Sequence, residues 1–336
     1  MTSLTPIDRG SRAAVATARA LGLRVQEPVV LKDGSNLLLR LAPAAVVARV
    51  ATGTAEMRPD GVALAREVAI AGALARAGAP VVGPSAELPP GPHRRDGFTL
   101  SFWEYVAPAD RPLDAYAAGR RLRECHEVLG DTARDTGAVD AAGAAEAAGA
   151  AEAAGADPAA PAARALALPR MGALTEAAAI VERLADAGSL DADEAALLRA
   201  VGRRVRERVE LLGLPLQPIH GDAHLRNVLD DAARGPLWND WEDAFLGPRA
   251  WDLACLYAAL PPFGTHDPAA AGQAYRGYGA PVHADVLRAL VAARRWQLLV
   301  WGAALARGWP QRRGWFDERI AWLREREHGR AGDTGA

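Results

Sequence analysis

Apolar and polar positions along the chain alternate in two distinct periods. Near the start, residues Gly10 to Leu23 repeat at helical spacing and close on Gly22. From Pro28 to Leu41 the period shortens to that of strands, broken at Asp33-Gly34, a hairpin signal. Ala44 to Val50 reads as a third strand, and Gly61 to Gly78 as a helix stopped by Gly78. After the Pro-rich stretch Pro80 to Pro92, Gly97 to Val106 has the apolar, aromatic make-up of a buried strand.

Beyond Val106 the helical period dominates. Helices are predicted over Arg111 to Leu129 and, twice, within Leu174 to Leu212, with a stop at Gly188 and a restart capped at Asp191 or Asp193. The second of these carries a stripe of Leu197, Val201, Val205 and Val209. Further helices follow in Leu253 to Leu260, Pro268 to Tyr278 and Ala284 to Arg307. Between them, Asp140 to Ala160 is an Ala/Gly/Glu tract with no large apolar residue, expected as a surface insertion. The pattern divides the chain into a strand-rich part, 1–106, and a helical part, 107–336.

One stretch interrupts the helical half. His220 to Ala254 reads HGDAHLRNVLDDAARGPLWNDWEDAFLGPRAWDLA. Val228-Leu229 and Leu237-Trp238 flank a turn-like run ending in Gly235-Pro236, so a β-hairpin is expected there. Such a hairpin returns the chain to its origin and sets Asn227 beside Asp240. An amide oxygen and a carboxylate are hard ligands of the kind Mg²⁺ takes when substrate phosphates complete its shell. Asp222, on the loop before the hairpin, is then within reach of a hydroxyl presented to the phosphate. A lone Asp or Asn near a turn is ordinarily a cap; the grouping of three is what points to chemistry. A metal hydrolase built on HGDAH would need further ligands, and His93, His126, His266, His283 and His328 are scattered without ligand spacing.

Asp222, Asn227 five residues on, the later Asp240 and the trailing WDLA segment with Asp252 together resemble the aminoglycoside phosphotransferase family. The resemblance implies an α+β, protein-kinase-like fold with a small antiparallel-sheet lobe and a larger helical lobe. It also implies Mg²⁺-dependent transfer of the γ-phosphoryl of ATP or GTP to a hydroxyl of a small molecule. Asp222 would be the catalytic base, with Asn227 and Asp240 as metal ligands. The turn at Ser35 and Asn36 would lie over the phosphates. Arg49 would stand where the family has a phosphate-binding Lys and would pair with Glu67 on the following helix. Glu104 and Val106, in the connection between lobes, would meet the nucleotide base. His220 and Asp252 are expected to hold the loop, and Gly221 to supply a backbone form that a side chain would hinder.

Charge and composition narrow the partners. The 336 residues carry a formal net charge of -2, which gives no field for nucleic acid or an anionic membrane. Only two cysteines occur, Cys125 and Cys255, each in an apolar context, as expected of reduced thiols in a cytoplasmic protein. The N-terminal stretch carries charges within any would-be apolar run and does not read as a signal peptide or span. From Arg294 to Arg326 arginine outnumbers acid and Trp296, Trp301, Trp309, Trp315 and Trp322 cluster. A polycationic aminoglycoside needs carboxylates, so a neutral or anionic acceptor, aromatic or nucleoside-like, is expected. An antibiotic is the first context expected. The alternatives are a metabolite kinase acting on a sugar or amino alcohol, and a nucleotide-binding module without transfer activity.

Overall fold

The computed structural model describes residues 5–34, 36–52, 58, 61–135, 168–260, 263–264, 267–308 and 313–333. The Asp140 to Ala160 tract, Ser35 and Trp309 lie outside them. The chain begins with helix α1 (Pro6–Ala20), capped by Thr5 and Asp8 in a reciprocal pair of hydrogen bonds. Strands β1 (Val25–Asp33), β2 (Asn36–Pro43) and β3 (Val46–Ala51) follow, then α2 (Val62–Arg76), β4 (His93–Arg95) and β5 (Phe98–Glu104). They form one antiparallel sheet in the order β1-β2-β3-β5-β4.

The two faces of this sheet have different tasks. Leu37, Leu39 and Leu41 of β2 and Val46, Ala48 and Val50 of β3 pack with Leu100, Phe102 and the α1 alanines Ala14 and Ala18. Strand side chains alternate, so Val47 and Arg49 of β3 must point to the opposite face. There Val47 joins Ile70, Ala71 and Leu74 of α2 and Trp103 in the core shared with the helical part. That face therefore looks toward the functional stretch.

The helical part contains α3 (Ala115–Asp135), α4 (Gly172–Asp186), α5 (Ala192–Leu211), α6 (Arg249–Ala258), α7 (Pro268–Tyr278), α8 (Ala284–Gly308) and α9 (Arg313–Asp333). Asp191 caps α5 in a capping box with Glu194, one of the two caps expected. Val201 and Val209 of the expected α5 stripe are buried, whereas Leu197 and Val205 are half-buried and Leu198 is buried in place of Leu197. The reason is that α5 packs on both α4 and α8, so its apolar face turns toward the crease between them. Helices α3 and α7 approach closely enough to require glycine at both crossing points. A Cβ on Gly119 would lie 1.8 Å from the Ala274 carbonyl oxygen, and one on Gly277 would lie 1.9 Å from that of Tyr116. The α+β class that the resemblance implies is observed.

Among the described residues no helix is long and apolar enough to cross a membrane. Cys125 and Cys255 are buried and unbridged, and burial pushes both thiols up.

Candidate active site

Two small strand pairs build the site. β6 (Gln217–Ile219) pairs antiparallel with β9 (Phe245–Gly247), while β7 (Val228–Asp231) and β8 (Gly235–Trp238) form the expected hairpin, with Val228 opposite Trp238. Pairing at both ends brings the loop 220–227 against the segment 239–244. The Asn239 amide donates to the Asn227 carbonyl at 3.0 Å, which sets Asn227 beside the neighbouring Asp240.

The loop is held from beneath by Asp252 of α6. Its carboxylate accepts from the main-chain N–H groups of His220 and Gly221, both at 2.8 Å, and from His126 Nε2 at 2.8 Å. His126 Nδ1 completes the chain to the Tyr278 hydroxyl at 2.8 Å, and burial pushes that phenol up to about 12, so it stays protonated. Asp252 and His126 are fully buried, and every polar atom in this chain has a partner, as low-dielectric burial requires. The His220 ring packs between Trp238 and Trp241, with its Nε2 against the Asn239 carbonyl at 2.9 Å. Gly221 has φ of +85°, and a Cβ there would lie 2.1 Å from the Asp243 carbonyl oxygen. Gly221→Ala is therefore expected to lower stability by about 1–3 kcal/mol from backbone strain alone. Thermal unfolding of the purified variant checks this, and an unchanged midpoint would refute it.

Asp222 projects from this loop, partly exposed. Its Oδ1 is gripped by the Arg294 guanidinium of α8, which is also bonded to Gln297. Its Oδ2 faces Asn227 Nδ2 at 3.4 Å and His224 Nε2 at 3.5 Å. Burial holds His224 below the usual imidazole range, against the pull of Asp222. Asn227 Nδ2 also donates to the Asp222 carbonyl at 3.0 Å, which commits the amide nitrogen and turns its Oδ1 away.

Opposite this loop, Arg49 forms the centre of a buried acid cluster. Its Nη1 meets Glu67 Oε1 at 2.5 Å, and its Nη2 meets Asp240 Oδ1 at 2.8 Å and Glu242 Oε1 at 2.9 Å. The pair Arg49–Glu67 expected from sequence is thus formed, but inside the protein rather than at its surface. Burial pushes Glu242 up to about 7 and Glu67 well above the carboxylate range, while Arg49 outweighs burial at Asp240 and holds it low. Asn36 is buried and its side chain turns inward, 3.4 Å from Glu242 Oε1. Asp240 itself adopts φ of +68°, uncommon for a residue with a side chain.

The cluster suits a divalent cation. Asp240, kept ionised by Arg49, and Asn227 Oδ1 supply two oxygen donors of the hard type. Among the described residues no three His, Cys, Asp or Glu side chains converge as a self-sufficient metal site. An ion here must then complete its shell with phosphate oxygens and water.

At the connection out of β5, Glu104 Oε1 accepts from the Gly83 amide at 2.8 Å and from Arg234 at 3.0 Å. The Tyr105 amide is taken by the Ala45 carbonyl at 2.8 Å and the Glu104 amide by the Gly83 carbonyl at 3.0 Å. Val106 packs with Val82 and Leu237 in a small apolar cluster of its own.

Two arginines that the sequence did not single out complete the picture. Arg294 reaches Asp222 from 72 residues away. Arg58, between β3 and α2, bonds Glu176 of α4 and Asp243, both at 2.6 Å, and lies 4.9 Å from the centre of the Trp301 ring. No spacing rule links either to its partners. The acidic knot Asp240, Glu242 and Asp243 was the only local signal pointing to counter-charges.

A sheet arginine paired in the interior with a Glu of the following helix, joined to a helical part bearing an Asp/Asn loop and a following Asp, defines a kinase-like phosphotransferase. Residues 28–290 match the profile of the phosphotransferase enzyme family, APH, and the chain belongs to that family. It is an enzyme of the small-molecule kinase class. No curated protein matches the sequence. Among solved structures, an amicoumacin kinase in complex with AMP-PNP, Ca²⁺ and its substrate superposes with a TM-score of 0.62 at 11% identity, covering 93% of this chain and 92% of that one. Choline kinase LicA from Streptococcus pneumoniae gives 0.58 at 13% identity, over 92% and 97%. A choline/ethanolamine kinase family protein from Mesorhizobium loti gives 0.57 at 20% identity, over 95% and 94%. The fold is that of these enzymes, protein-kinase-like with a small antiparallel sheet and a larger helical part.

Proposed function

We propose that this enzyme transfers the γ-phosphoryl group of Mg-bound ATP or GTP to a hydroxyl of a small molecule, with the nucleotide held between parts 1–106 and 107–336. The observation that carries this reading is the convergence of Asp222, Asn227 and Asp240 in front of the buried Arg49–Glu67 pair. Asp222 Oδ2 receives the acceptor proton, since Oδ1 is occupied by Arg294. Asn227 Oδ1 and Asp240 hold the metal, which supplies neutralising charge at the phosphates when bound. Arg49 and the backbone at Ser35 and Asn36 contact the phosphates, and Glu67 orients Arg49. With the Glu104 and Tyr105 amides already engaged, the Glu104 carbonyl and Val106 amide are the linker groups left to meet the base. Phosphoryl transfer passes through a loose transition state, so positioning and charge neutralisation carry most of the catalysis.

Asp240→Ala is expected to abolish Mg-dependent nucleotide binding more completely than Asn227→Ala, because it removes a charge as well as an oxygen. Calorimetric titration of Mg-AMP-PNP into both variants measures this, and equal affinities would contradict it.

The acceptor is read as neutral or anionic, and as an antibiotic that the transfer inactivates. Asp222, Glu176 and Asp243 are each already paired with a buried arginine, so none is spare for a polycation. The choline and ethanolamine kinases among the similar structures favour a second reading, a metabolite kinase acting on a sugar or amino alcohol. We place the protein in the cytoplasm on its two unbridged cysteines. The test is incubation with Mg-ATP or Mg-GTP and a panel of hydroxylated antibiotics, sugars and amino alcohols, read by the mass gain of one phosphoryl group. Nucleotide binding without transfer to any acceptor or to water would leave only a binding module.

A further inference from the structure

Away from the catalytic loop, α8 and α9 enclose a second concentration of positive charge. Phe263 and Trp322 form an edge-to-face pair with ring centres 4.9 Å apart. Arg295 of α8 lies 5.2 Å from the Phe263 ring centre and 5.8 Å from that of Trp322. Arg326 of α9 lies 4.1 Å from the same Trp322 ring. Two guanidinium groups therefore share one indole.

Such stacking attracts each cation to the ring but leaves its N–H donors unused. Among the described residues neither Arg295 nor Arg326 has a carboxylate partner, whereas Arg294, one residue away, has Asp222. Arg295 is half-buried, and its Nε is buried with no hydrogen-bond partner, an unfavourable state for a donor. Burial and the like charge of Arg326 both hold Arg295 below the usual arginine range. A pair of like charges, one of them with a buried unsatisfied donor, is destabilising by itself. An oxyanion would neutralise such a pair by accepting from the outer N–H groups of the planar guanidiniums with its paired oxygens.

We propose that Arg295 and Arg326 form an anion site that takes the carboxylate or phosphate of a small molecule, next to Trp322. The assignment does not rest on the phosphotransfer reading. It concerns a different face of α8, since Arg295 follows Arg294 by one residue and is turned about 100° around the helix from it.

The test uses the full chain and two probes, benzoate and inorganic phosphate, with benzamide as the neutral match of benzoate. Calorimetry and tryptophan fluorescence report binding, in the presence and absence of saturating Mg-AMP-PNP. The expected result is that at least one anion binds at millimolar concentration or below, about tenfold or more tighter than benzamide, and is not displaced by the nucleotide. Arg326→Glu supplies Arg295 with a carboxylate in place of the anion. It should abolish the binding while leaving the melting temperature equal or higher. The assignment is overturned if benzamide binds as well as the tighter-binding of the two anions or if neither anion binds. It is also overturned if Mg-AMP-PNP displaces the bound anion, or if Arg326→Glu retains the affinity.

Discussion

Asp222→Asn is expected to lower phosphoryl transfer by roughly 10²- to 10⁴-fold, the usual contribution of a positioned base, with the KM for nucleotide unchanged. The structure adds a second effect that sequence reasoning did not anticipate. Arg294 is 5% exposed and its guanidinium is tied to Asp222, so the substitution strands a buried cation. Removing one partner of a buried pair is strongly destabilising, while replacing both is tolerated better. Asp222→Asn alone should therefore melt lower than wild type, and Asp222→Asn with Arg294→Gln should recover part of that loss without recovering turnover. Single-turnover assays and thermal unfolding on the four proteins of this cycle separate the two effects. Wild-type turnover in the folded Asp222→Asn variant would remove Asp222 from the mechanism.

Arg49→Ala is expected to produce the largest combined loss, of nucleotide affinity and of stability together. The guanidinium is the shared partner of Glu67, Asp240 and Glu242, and its removal leaves three crowded carboxylates beneath the phosphates. Breaking a buried ion pair by deleting one partner costs about 3–5 kcal/mol, and here three partners are affected. Arg49→Lys keeps the charge but replaces a planar fork by a point ammonium, which is too compact to hold Glu67 on one nitrogen and Asp240 with Glu242 on another. Intermediate affinity and melting temperature are expected for it. Glu67→Ala should act in the same direction as Arg49→Ala, to a smaller degree. Calorimetry with Mg-nucleotide and thermal unfolding of the three variants decide the matter. If Arg49→Ala binds like wild type, the phosphates are held elsewhere, with Arg40 or Lys32 of the preceding strands the next candidates.

The local chemistry of the site was legible because it is written in short spacings. Asp222 to Asn227 is one loop, and a hairpin closes Asn227 onto Asp240, so turn residues and alternating apolar positions suffice to predict the juxtaposition. Gly221 and Asp252 were legible in the same way, as supports of that loop. The Arg49–Glu67 pair was legible only through the family resemblance, which sets a cation of this strand against a Glu of the following helix.

Other features could not be read in that way. Asn36 meets Glu242 across 206 residues and Arg58 meets Asp243 across 185. Sequence reading placed Asn36 over the phosphates by its turn, but its side chain is drawn into the acid cluster.

The sequence by itself determined the α+β class, the hairpin that follows the Asp/Asn loop, and the family. These follow from periodicity, turn chemistry and motif spacing, which act over a few residues. Only the tertiary structure decided which arginines neutralise which carboxylates. In a chain with 39 Lys and Arg and 41 Asp and Glu, almost any charge has an available partner, and helical arginines such as Arg294 and Arg295 look alike in sequence. Their roles diverge because successive side chains leave a helix about 100° apart: one is packed against Asp222, the other against Phe263 and Trp322.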